Sequence, residues 1–331
     1  MKLKIDIQSE IGRLDAVLLH RPGHEVENMT PRNVQRALYS DILNLSIAQD
    51  EYEQLSGVLS KLASVYEVRD LLVKVLDQWK PRADLIHRIC VAEDVVPYID
   101  TLMAMDSVEL ARVLIEGLPA RIDTLTSYLR NEYYALYPLY NFYFTRDAAV
   151  TIGNQALVCR MANKVRMRES LIMDAIYRCS GAFECGVVDA NADQPETSQI
   201  IMEGGDILIA REDILIVGNG VRTTPQGIDF IVDRFCKAHP SGRIHVLVQQ
   251  LPSQPESFIH LDMVFTLLDK DKCMIFKPLI MQANQYQTVH ITIEQGRVES
   301  IRPVAGLLPA LKELGMDLKP MVCGGEDEWD Q

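Results

Sequence analysis

Hydrophobic and polar positions along the chain change rhythm in a recurring way. Three times a short polar box ending in aspartate precedes an aliphatic run, a tight turn and a second aliphatic run. The first box is Phe144-Thr-Arg-Asp147, leading into AAVTIGNQALVCRM; the second is Glu203-Gly-Gly-Asp206, leading into ILIAREDILIVGNG. The third is His260-Leu-Asp262, leading into MVFTLLDKDKCMIFKP. The box aspartates lie 59 and 56 positions apart, a period slightly above the usual solenoid range. Runs of this length around a turn predict β-hairpins.

Between boxes the rhythm lengthens. RMRESLIMDAIYRC and QGIDFIVDRFCKA carry apolar residues at helical spacing and predict amphipathic helices, and GRIHVLVQQL reads as a buried strand. An earlier copy opens the chain, with Gly12-Arg-Leu-Asp15 followed by AVLLHRPG. The unit is a hairpin, a helix and a strand, used at least four times. Such units cannot bury their apolar faces alone, so they pack in a row or close into a ring. The expected class is α/β.

One segment departs from this plan. Between Gly57 and Gly117 there is no glycine, and only Pro81 and Pro97 interrupt helix-forming sequence. YEVRDLLVKVLDQW, ADLIHRICVAEDVV and SVELARVLIEGL have apolar positions three and four apart. Residues 69–135 are therefore expected as a helical insertion, with 1–68 and 136–331 forming the repeat domain. The insertion's expected use is structural, as a rim or as the contact of a homo-oligomer.

Composition narrows the function. With 46 Asp and Glu against 33 Lys and Arg, the net charge is −13, which argues against nucleic acid or an anionic membrane as the main partner. The first residues, MKLKID, show no secretory signal, and no apolar run approaches the roughly 20 residues of a membrane span. Seven cysteines are scattered without a C-x-x-C pair, which suits reduced thiols in the cytoplasm better than disulfides or zinc.

If the strand ends that carry the boxes surround one centre, Asp147, Glu203, His260 and Asp262 share a cavity. Clustered carboxylates favour a cationic group, and each can accept two N–H donors from a planar guanidinium. A histidine beside a glutamate is a candidate general acid and base. Taken singly, the aspartates could cap turns, the expected role of Asp206. His20 and His24 read as structural or loop residues; His87, His239, His245 and His290 show no partner pattern. Arg168 is expected to be as much an exposed salt-bridge former as a site residue.

Phe144-Thr-Arg-Asp147 preceded by Asn141, Glu203-Gly-Gly-Asp206 and His260-Leu-Asp262, in that order, resemble the motifs of the arginine deiminase family. His20-Arg-Pro-Gly23 and Met29-Thr-Pro31 resemble its first module and loop. The resemblance runs from about residue 10 to the end and includes the helical insertion. It implies a five-fold pseudosymmetric α/β propeller with an inserted helical bundle. It also implies hydrolysis of L-arginine to L-citrulline and ammonia through a covalent cysteine thiouronium intermediate. By that likeness Asp147 and Asp262 clamp the guanidinium, and Glu203 and His260 transfer protons and orient the reacting carbon. Arg166 and Arg222 hold the α-carboxylate, which disfavours agmatine, and Asn141 and Phe144 line the pocket. No cofactor or metal is implied.

The chain also departs from the family pattern. It ends at Val322-Cys-Gly-Gly-Glu-Asp-Glu-Trp-Asp-Gln331, where a fifth repeat is due, and the family's terminal cysteine motif is not present. Cys323 closes the strand after the fourth helix and is not a substitute; the other six cysteines read as packing residues. Tyr39-Ser-Asp41 replaces a Phe-Asp-Asp run. The expectation is a truncated deiminase, inactive alone for lack of its nucleophile. The alternative is a non-catalytic arginine-binding or scaffold protein that keeps the clamp. A metal hydrolase built on His260, Asp262 and Glu203 is weaker, with one histidine only.

Overall fold

A computed structural model describes residues 2–29, 38–39, 42–130, 133–192, 198–238, 240–254 and 258–323, the side chains of 126, 127 and 130 excepted. Thr30 and Pro31 of the first-module motif, Ser40 and Asp41, His239 and the tail 324–331 lie outside the described residues. The chain divides into two compact units. The first comprises Met1–Lys4, Leu14–Ala148 and Asn163–Val187; the second comprises Ile5–Arg13, Ala149–Ala162 and Val188–Gln331. Both mix helices and strands.

In the first unit the strand Ala16–Leu19 runs parallel to Ser64–Glu67, with the helix Leu45–Leu59 as the crossover between them. That helix starts at Asn44, whose side chain accepts the amides of Ser46 and Ile47 at 3.0 and 3.3 Å, a cap that contributes about 1 kcal/mol. Helices follow at Val68–Leu76, Trp79–Ala92, Ile99–Ala104 and Ser107–Glu116. Their apolar stripes supply buried Leu71, Leu72, Val75, Leu85, Ile86, Ile89, Leu110 and Leu114. Ser107–Glu116 is capped by Asp106 and stops at Gly117, whose φ of 96° suits a residue without a side chain. The segment read as a helical insertion is thus helical as far as Glu116. The short strands Leu118–Pro119 and Tyr134–Leu136, with a helix Leu125–Arg130 between them, complete it. The helix Met167–Cys179 packs against Val68–Leu76 and Trp79–Ala92, tied by an Arg88–Asp174 ion pair of 2.6 Å.

The hairpins of the repeat lie in the second unit. In each copy a short helical turn ending at or next to the box aspartate leads into an antiparallel hairpin. The hairpins are Ala149–Ile152 with Gln155–Val158, Ile207–Arg211 with Ile214–Asn219, and Phe265–Asp269 with Lys272–Ile275. After the second hairpin the helix Pro225–Ala238 crosses to the strand Arg243–Gln250, which lies parallel to Ile214–Asn219. After the third, the helix Leu307–Glu313 crosses to Lys319–Val322, parallel to Lys272–Ile275. A further hairpin, Thr288–Glu294 with Arg297–Val304, is inserted before that helix and extends the middle sheet to five strands. Its turn residues Gln295 and Gly296 have φ of 49° and 71°, the left-handed pair of a type I′ turn.

Leu208, Ile216 and Leu247 of the sheet, with Phe258, Phe265, Ile275, Leu307 and Leu311, form the core of this unit. Among the described residues the sheets have two to five strands each and none closes on itself. No described helix is long and apolar enough to cross a membrane.

Candidate functional site

In the first unit the box is built by a compact turn. The Phe144 amide donates to Asn141 O at 3.0 Å and the Asp147 amide to Phe144 O at 3.1 Å, starting the one-turn helix Thr145–Ala148. Asn141 and Asp147 are buried, whereas the Phe144 ring is exposed and rests on Tyr143 with centroids 4.4 Å apart. Arg166 sits on a 3₁₀ turn, Lys164–Arg166, in which the Val165 amide donates to the Asn163 side chain. Its guanidinium donates from Nη1 to Asp147 Oδ2 at 2.7 Å and from Nη2 to Asn141 O at 3.3 Å. Nε and Nη2 reach Glu169 at 3.1 and 2.8 Å. One buried cation is therefore shared by two buried carboxylates.

The second unit holds Glu203, His260 and Arg222 together. Glu203 is fully buried, and its Oε2 meets His260 Nε2 at 2.9 Å. Its Oε1 accepts the Ala162 amide at 3.0 Å and faces Arg222 Nη1 at 3.5 Å. The Glu203 amide donates to Thr223 Oγ1 at 3.2 Å, so the residue is held at both backbone and side chain. Two residues beyond His260, Asp262 is half-buried and lines a cavity of about 200 Å³ with Phe258, Phe276 and Cys323. The His260 segment is pinned by the buried Asp206, whose Oδ1 accepts the Leu261 amide at 2.9 Å. Burial, above all, pushes the Asp206 carboxyl up to about 7, against the pull of positive charge on His260 and hydrogen bonds from Thr223 and Leu261.

Two residues differ from their expected settings. Arg168, expected as much an exposed salt-bridge former as a site residue, does pair with Glu93, Nε 3.1 Å away, but is fully buried, with Nη2 donating to Tyr137 O. The reason lies in helix Met167–Cys179, which is covered along nearly its whole length, so that Arg168 faces protein and not water. Glu169 was not singled out, although its three-residue spacing from Arg166 on a helix start is the signal of a pair. Asp206 does more than cap a turn, since it bonds a separate chain segment. His20, read as structural, forms a buried pair with Glu25 at 2.9 Å.

Chemically, the buried Glu203–His260 pair can hold and move one proton.

The family model of arginine deiminase matches residues 35–307. The arginine deiminase of Bacillus cereus (strain ATCC 10987 / NRS 248) is 32% identical over 348 residues, covering 99% of this chain and 83% of that protein. The arginine deiminase of Listeria monocytogenes serovar 1/2a is 29% identical, with coverages of 99% and 82%. Among solved structures, DDAH from Pseudomonas aeruginosa complexed with citrulline is 12% identical, covers 94% of this chain and 93% of its own, and has a TM-score of 0.47. The family match over most of the sequence and the full-length identity together show that this chain belongs to the arginine deiminase family.

Proposed function

We propose that this chain binds L-arginine and prepares it for hydrolysis to L-citrulline and ammonia. The observation that carries the reading is the buried Glu203–His260 pair, 2.9 Å apart, on the ends of two neighbouring repeats. In this reading Asp147 and Asp262 accept the guanidinium N–H groups, and Arg166 and Arg222 take the α-carboxylate. Asn141 and Phe144 line the pocket. Asp147 already accepts a guanidinium N–H, that of Arg166, which is the chemistry the role requires. The hairpin–helix–strand unit is read as the blade of the family's five-fold propeller.

The reaction needs a thiolate to attack the guanidinium carbon. His260 gives a proton to the departing nitrogen, which leaves as ammonia. Water then displaces the sulfur, passing its proton to the imidazole, and citrulline is released. Five of the seven cysteines are poorly suited to the first step. Cys90, Cys159 and Cys273 are buried, and burial pushes Cys90 and Cys273 up to about 11. Burial also raises Cys179 and Cys236 above the ordinary thiol range. A raised pKa disfavours the thiolate. In this reading these 331 residues supply recognition and proton handling, and the nucleophile is not among them.

Calorimetry with arginine and agmatine, together with a citrulline assay, tests the proposal. Arginine binding without agmatine binding, and without citrulline release by this chain alone, is expected. Equal binding of agmatine would remove the α-carboxylate roles of Arg166 and Arg222. Citrulline release by the chain as it stands would overturn the assignment of the nucleophile elsewhere.

A further inference from the structure

Asp206 is fully buried in the second unit, yet it belongs to none of the roles above. It ends the 3₁₀ turn Gly204–Asp206 that begins one residue after Glu203. Its Oδ1 reaches across to the backbone amide of Leu261, 2.9 Å away and 55 positions later in sequence. That amide directly follows His260. One carboxyl thus ties the turn that starts at Glu203 to the turn that starts at His260. The strand behind it is shaped to admit this contact, because a β-carbon at Gly218 would lie 2.4 Å from Oδ1. Thr223 completes the bracket, with its hydroxyl bonding Asp206 and accepting the Glu203 amide. Asp206 Oδ2 is buried without an acceptor or donor partner, an expensive arrangement for a residue whose task is only to cap a turn.

We propose that Asp206 is a positioning residue, which clasps the Leu261 amide so that the His260 imidazole is set against Glu203. The inference rests on the reading of Glu203 and His260 as the proton-handling pair. Charged groups facing that pair in this unit include Asp206 itself and Arg222. An ionised Asp206 favours the imidazolium and a protonated one does not, so the carboxyl acts on both the place and the charge of the ring. The settings of the two groups are mutual: His260 lowers the pKa of Asp206 through its charge, and Glu203 raises it.

The test is nuclear magnetic resonance on the full chain, with ring ¹⁵N signals of His260 followed from pH 5 to 9 in the native protein and in Asp206→Asn. Asparagine keeps an oxygen for the Leu261 amide and removes the charge. A downward move of the His260 midpoint by on the order of 1 unit is expected, with the Leu261 amide still protected from exchange. In the native protein the Asp206 carboxyl ¹³C signal and the His260 ring signals are expected to move in the same pH steps, a measurement that needs no variant. Unchanged His260 titration in Asp206→Asn, or an Asp206 signal that titrates without moving the ring, would overturn the proposal. Neither outcome depends on turnover or arginine binding, so failure of this inference is separable from failure of the functional reading.

Discussion

Arg166 and Asp147 form a buried ion pair 2.7 Å long, with side chains 5% and 9% exposed, in which the same guanidinium also grips Glu169. The fork geometry of arginine is what allows three directions to be served at once. Arg166→Met removes the cation from between two buried carboxylates. The loss expected is about 3–5 kcal/mol, read from urea unfolding. Arg166→Lys keeps the charge but lacks the fork, and its loss falls between those of the native chain and the methionine variant. Equal stability of all three would show that the pair contributes nothing.

Arg168, two positions on, should behave differently. Its Nη1 has no hydrogen-bond partner, and burial pulls its pKa down. Its ion-pair partner Glu93 is partly exposed, and can return to water when the cation is removed. Arg168→Met therefore trades an incompletely satisfied buried charge for a side chain of similar length. The expected change is within about 1 kcal/mol of zero or stabilising. A loss as large as that of Arg166→Met would mean that Glu93 and the Tyr137 carbonyl depend on the guanidinium.

Asp206 gives a pH dependence with a defined sign. Its folded-state pKa is about 7 against an ordinary 3.8, so the folded chain binds its proton more tightly than the unfolded chain. Stability from this group is complete below about 3.8 and is lost as pH rises through about 7. Relative to Asp206→Asn, the native chain should lose stability across that window with a slope approaching about 1.4 kcal/mol per pH unit. Parallel unfolding free energies for the two proteins from pH 5 to 8 would contradict it.

These cases show where the sequence was legible. The hairpins after Asp147, Asp206 and Asp262 follow from local alternation and turn chemistry, and the structure has all three. The helices on either side follow from three- and four-residue spacing. The inserted hairpin Thr288–Val304 was missed although TVHITIE and the Gln295–Gly296 turn announce it, because it interrupts the repeat that organised the reading. Buried partnerships were harder. His245 and His290 lie 2.9 Å apart through the pairing of strands 45 residues apart, and no spacing rule reveals that. Asp206 and Leu261 meet in the same non-local way. The burial of Arg168 was illegible for a related reason, since it comes from helices far back in the chain.

Gly218 separates local preference from tertiary demand. It lies on the strand Ile214–Asn219, where alanine would ordinarily be tolerated. A methyl group there would meet Asp206 Oδ1 at 2.4 Å and Leu251 Cδ1 at 2.9 Å. Gly218→Ala must displace the carboxyl or the strand, with an expected cost of about 1–3 kcal/mol. Because displacement breaks the Leu261 bond, amide exchange at Leu261 should accelerate more than at strand residues such as Leu215. Uniform acceleration would indicate general loosening instead.

Cys323 offers a chemical probe of the substrate reading. It is exposed, whereas Cys90, Cys159 and Cys273 are buried and Cys179, Cys185 and Cys236 are half-buried. A thiol-specific disulfide reagent should therefore label one site quickly in the folded chain, and Cys323→Ser should abolish that phase. The serine variant should bind arginine within about twofold of the native chain, a difference of ~0.4 kcal/mol, because the thiol has no assigned role. A bulky adduct on Cys323 is another matter, since the residue lines the same cavity of about 200 Å³ as Asp262. If Asp262 receives the guanidinium, filling that cavity should weaken arginine binding severely while leaving the unfolding midpoint nearly unchanged. Undiminished binding by the labelled chain would exclude Asp262 from the clamp and leave Asp147 as the carboxylate that carries it.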